Sequence, residues 1–79
     1  MTPDEGDLRH ELNTLMFTMA DAVDLAQHEK PAEGYSALKA GLMRAAEAQE
    51  DGEPWAAERV GRWREACELF AESWGLRVA

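Results

Sequence analysis

Apolar residues recur along this chain at alternating intervals of four and three. Leu8, Leu12, Leu15, Met19, Ala22 and Ala26 form the first such series, widened by Met16 and Val23. Tyr35, Leu38, Leu42, Ala45 and Gln49 continue the rhythm, and Ala56, Val60, Trp63, Cys67, Phe70 and Trp74 repeat it a third time. That spacing places each series on one side of a helix with 3.6 residues per turn, leaving polar residues on the other. Punctuation sets the boundaries at about 3–28, 31–51 and 54–74. Thr2-Pro3-Asp4-Glu5 has the form of a capping box with proline at the first helical position. Pro31 and Pro54 open the second and third helices, and Gly52 and Gly75 stand where left-handed caps close them. Connections this short predict antiparallel neighbours, and so an antiparallel three-helix bundle.

Composition agrees on an all-α class. Alanine occurs 14 times, leucine 8 and methionine 4, against 3 valines and no isoleucine. With 79 residues the chain has room for one domain, spanning 1–79, whose core is small. Ala37, Gly41, Ala45 and Ala48 line one side of the second helix. Side chains so short allow close approach, and Trp63, Phe70 and Trp74 are the expected fillers opposite.

Charge narrows the function classes. Eight Lys+Arg against 16 Asp+Glu give a formal net charge of -8. Affinity for a nucleic-acid backbone needs a basic face, so no nucleic acid is expected as a partner, and an anionic membrane surface is disfavoured too. The start of the chain is acidic where a secretory signal would be basic and then apolar, which predicts a cytoplasmic protein. The single cysteine, Cys67, lies within the third stripe and is expected to be buried and inert. Asp21, Asp24 and His28 share one side of helix 1 with His10 and Thr14, but no Glu-x-x-His pair accompanies them. No metal or other cofactor is expected. The corner Glu47, Glu50, Asp51, Gly52, Glu53 lacks the ligand spacing of a calcium loop. Three of its carboxylates oppose the dipole at the end of helix 2, which favours a basic partner surface.

One string carries chemistry. His10-Glu11-Leu12-Asn13-Thr14 resembles the phosphoacceptor box of histidine kinases, in which a helical His is followed by an acid and, one turn on, by Thr or Asn. The resemblance covers five residues, and Leu15 stands where that family usually has proline. It implies a phosphotransfer or dimerisation module, with His10 as phosphoacceptor, Glu11 orienting it and Thr14 positioning water. A nucleotide loop is absent, so kinase activity is not expected. In length, acidity and a mid-chain serine the sequence is also similar to acyl carrier proteins. Gly34-Tyr35-Ser36-Ala37 nevertheless lacks their Asp-Ser-Leu motif, and no pantetheine arm is expected on Ser36.

Several apolar residues have no place in a monomer's core. Phe17 falls on the back of helix 1 among His10, Asp21, Asp24 and His28, while Leu25, Trp55 and Leu69 also lie off the main stripes. Such residues together suggest a second buried face. The reading is a small acidic, non-enzymatic interaction module with Phe17, Asp21, Asp24 and Leu25 at its interface. Its partner is expected to be a second copy of the chain, as a homodimer through helix 1, or another protein with a basic surface. Histidine phosphotransfer through His10 is the alternative.

Overall fold

The computed structural model describes residues 5–53 and 55–76, with side chains from Leu8 onward. Its elements are α1 (Glu5–Gln27), α2 (Pro31–Glu50) and α3 (Ala56–Ser73), and no strand occurs among the described residues. The turns are short, so the helices fold back on one another as a three-helix bundle. The middle helix α2 packs extensively on both neighbours, whereas α1 and α3 meet over a shorter stretch.

All three helices end in the same way. After α2, Gly52 takes φ 72° and the Glu53 amide donates to the Ala48 carbonyl at 3.0 Å. After α3, Gly75 takes φ 65° and the Leu76 amide donates to Ala71 at 2.8 Å. Both glycine caps were expected. The end of α1 makes the same six-to-one bond, from the Lys30 amide to the Leu25 carbonyl at 2.8 Å, but the left-handed residue is Glu29 at φ 65°. A Cβ in that conformation costs about 1–2 kcal/mol, which this connection retains because the bond closes the helix before Pro31.

The expected helix bounds need correction at several ends. The capping box at Thr2 lies outside the described residues, as does Pro54. α1 ends at Gln27, α2 at Glu50 and α3 at Ser73, each one residue early, because the closing turns capture the next residue. α3 begins at Ala56, not at 54. Trp55 precedes it in the left-handed conformation, φ 62°, and its carbonyl accepts the Arg59 amide at 2.9 Å, the first bond of the helix.

The core follows the stripes with three further corrections, the first at Met16, which widens the first stripe in sequence but is 66% exposed and stays off the core. Trp63 and Leu38 are completely buried, and Ala22, Ala26, Ala45, Val60, Cys67 and Phe70 join them. Gln49, placed on the second stripe, is exposed, and Ala48 is buried instead, because α3 lies along the small-residue side of α2. Trp74, expected in the core, is 39% exposed. The helix has ended by then, and the turn at Gly75 sends Leu76 back onto the core in its stead. The Trp74 ring leans on Phe70 from outside, with centroids 6.3 Å apart.

Glycine decides how closely the layers approach. A Cβ at Gly41 would collide with the six-membered ring of Trp63. One at Gly34 would lie 2.7 Å from the Ala22 carbonyl oxygen and 2.9 Å from the Phe70 ring. These two positions therefore seat the two large aromatics of α3 and bring α1 against α2.

Candidate functional site

The outer side of α1 is the surface singled out by its sequence. A straight α-helix drifts only about 20° per heptad, so His10, Phe17 and Asp24 form one line along α1. Asn13 and Ala20 flank it on one side, Thr14, Asp21 and His28 on the other. Phe17 is 71% exposed and its neighbour Met16 66%. His10, Asn13, Ala20, Asp21, Asp24 and His28 are exposed as well, while Leu25 is half-buried. Asp24 is tied to its own helix: its carboxylate lies 3.7 Å from Nδ1 of His28, and the same ring nitrogen is 2.7 Å from the Asp24 carbonyl oxygen. The result is a polar helix face with one large aromatic at its centre.

The phosphoacceptor-like box is divided between two sides of α1. His10 is exposed, and Thr14 lies one turn on, but its hydroxyl donates to the His10 carbonyl at 3.1 Å. Glu11 points inward. Its Oε1 accepts the indole N–H of Trp63 at 2.8 Å, and its Oε2 lies 4.0 Å from Nε of Arg59. Glu11 is thus the polar partner that lets a fully buried tryptophan keep its N–H satisfied. The carboxylate beside His10 in sequence is engaged with α3 in space.

Arg59 completes an inner polar cluster that the sequence did not suggest. It reaches Glu53 as well as Glu11, each at 4.0 Å, a separation for charge attraction but not for a hydrogen bond. Its Nε and the Trp55 Nε1 are buried without hydrogen-bond partners. A signal did exist for Glu11, which follows Leu8 by three residues and precedes Leu15 by four. That spacing puts it on the apolar stripe itself. Arg44 adds a cation over the Trp63 ring, 5.9 Å from its centroid. Nearby, Leu8, Arg9, Leu12 and Trp55 line an open groove of about 360 Å³.

Cys67 is buried between Trp63 and Phe70 on the core side of α3, and burial pushes its thiol up from the ordinary range. Among the described residues no three His, Cys, Asp or Glu side chains converge as metal ligands. Nor is any helix there long and apolar enough to cross a membrane. The chain matches no protein-family model, curated protein or solved structure with which it was compared.

Proposed function

We propose that this chain is a small, non-enzymatic helical protein–protein interaction module that self-associates through the outer face of α1, acting in the cytoplasm. The observation that carries this reading is the exposure of Phe17, 71%, in the middle of a helix whose core positions are all occupied by other residues. A bundle gains nothing from an aromatic there. Burying it against another chain contributes roughly 1.5–3 kcal/mol per copy, and a symmetric dimer counts the contribution twice. The inward turn of Glu11 supports treating His10 as a surface residue of this face and not as an oriented nucleophile.

Sedimentation velocity across a concentration series tests the proposal. Wild type is expected to enter a reversible monomer–dimer equilibrium at micromolar concentration, and Phe17→Glu to shift it to monomer with an unchanged far-UV circular dichroism spectrum. A wild type that stays monomeric at high concentration removes self-association and leaves a partner with a basic surface as the reading for the acidic face.

A further inference from the structure

The order of side chains along α1 carries more than an exposed aromatic. His10 and Asp24 stand seven residues to either side of Phe17, and Asn13 and Asp21 stand four to either side. All five are exposed on the outer side of the helix. Resting on the self-association reading above, we infer that two copies pair antiparallel along α1, with the two-fold axis at Phe17 and His10 of each chain opposite Asp24 of the other.

The charge pattern selects this arrangement over its parallel counterpart. With the axis at Phe17, a residue on the line at 17+n faces the one at 17−n of the second copy, and each flank faces the same flank of the other. Asp24 then meets His10, Asp21 comes beside Thr14 on its own flank, and the two Phe17 rings meet each other. The carboxylate of Asp24 is opposite a nitrogen that can donate a hydrogen bond, in the imidazole of His10. A parallel pairing stacks Asp24 on Asp24, a like-charge contact in a chain whose net charge is already -8. The antiparallel pairing removes that contact and also opposes the two helix dipoles. Self-complementarity under a two-fold axis is what an isologous interface requires.

Space along the helix permits it. α1 has 23 residues, about 34 Å at 1.5 Å rise, so the stretch from His10 to Asp24 occupies roughly 21 Å of it. Shallow crossing keeps residues at both ends of that stretch within reach of the second helix. His28, which touches Asp24 from one turn beyond, holds the carboxylate on this line. Ala20 on one flank and Thr14 on the other lie within a turn of Phe17, and their small side chains let the helices approach around the Phe17 pair.

A charge swap tests the register, because positions 10 and 24 of one chain are too far apart to couple within it. His10→Glu sets a second carboxylate against Asp24 at both ends and is expected to weaken the dimer about tenfold or more, as read by sedimentation equilibrium. Adding Asp24→Lys makes two opposite-charge pairs and is expected to restore association to within about threefold of wild type. The control is His10→Glu with Glu65→Lys, which has the same net charge but places the new ammonium on the exposed outer side of α3, away from this face, and is expected to remain weak. Equal recovery with Glu65→Lys, or none with Asp24→Lys, overturns the register, while a Phe17-dependent wild-type dimer preserves the self-association reading. A monomeric wild type overturns both. All substituted positions are exposed, so circular dichroism of each variant should match wild type.

Discussion

The chain has two phenylalanines, and the protein treats them in opposite ways. Phe70 is 2% exposed, its ring tip set against Gly34 where the α1 backbone at Ala22 also approaches. Phe17, on the far side of α1, is 71% exposed and has no glycine or alanine on another helix shaped to receive it. The α2–α3 seam is built around reciprocal pairs, a large ring on one helix and a missing Cβ on the other. The outer face of α1 offers a ring without its counterpart. The difference teaches where the bundle ends as a self-sufficient object: inside, each large side chain is answered by a small one, whereas outside the answer has to come from another chain.

Truncating the two rings should therefore give very different results. Phe70→Ala removes a ring from a seam that cannot close around the gap, and is expected to cost about 3–5 kcal/mol. That is a large part of the stability of a domain this small. Phe17→Ala should change monomer stability by no more than about 0.5 kcal/mol, since no packed contact is lost. Urea denaturation at a concentration too low for association reads both. Comparable losses at the two sites would show that the outer face is packed after all.

Glycines sharpen the same contrast. Gly41 and Gly61 are both mid-helical, where alanine is worth about 1 kcal/mol more than glycine by propensity alone. At Gly41 the added methyl meets the buried Trp63 ring, which has nowhere to move. Gly41→Ala is expected to lose about 1–3 kcal/mol through overpacking despite the better helix former. At Gly61 nothing lies within 4 Å of the added Cβ. Gly61→Ala should gain about 0.5–1 kcal/mol and raise the melting temperature. A stabilising Gly41→Ala would mean that the Trp63 seat is looser than its geometry.

How far the sequence could be read depended on whether a feature was periodic or local. The stripes were legible because core burial repeats with the helix, and Trp63, Cys67 and Phe70 lie where the spacing put them. Gly52 and Gly75 were legible because only glycine enters the left-handed region at little cost. Glu29 and Trp55 adopt the same conformation without that marker, and so the end of α1 and the start of α3 were misplaced by the sequence alone. Trp74 continued the rhythm past the end of its helix, where periodicity no longer applies. The exposure of Phe17 could be foreseen from its angle on α1. The inward turn of Glu11 could have been, but a carboxylate next to His10 invited a chemical reading before a packing one. What covers the outer face is not written in the period of one helix, because the second surface belongs to another helix.

The smallest effect concerns Cys67, which lies on the inner side of this comparison. It sits one turn from both Trp63 and Phe70, and its thiol is pushed up chiefly by burial. Lys39 draws it back in part, and Glu68 adds to the rise. The folded protein therefore keeps the thiol proton at a pH where the unfolded chain has released it. Linkage gives the sign: the contribution is fully present below the ordinary value of 9.0 and falls as pH rises above it. Wild type is expected to lose stability between about pH 8.5 and 10 more steeply than Cys67→Ala, which has no thiol to ionise. Thermal melts of the two proteins across that range measure the difference, with Tyr35 and the lysines common to both. Below about pH 8 a thiol reagent should label native wild type far more slowly than urea-unfolded chain, since attack requires an exposed thiolate. Parallel alkaline curves together with labelling at the unfolded rate would place Cys67 on an open surface, and the seam around Phe70 would then be less tight than its packing implies.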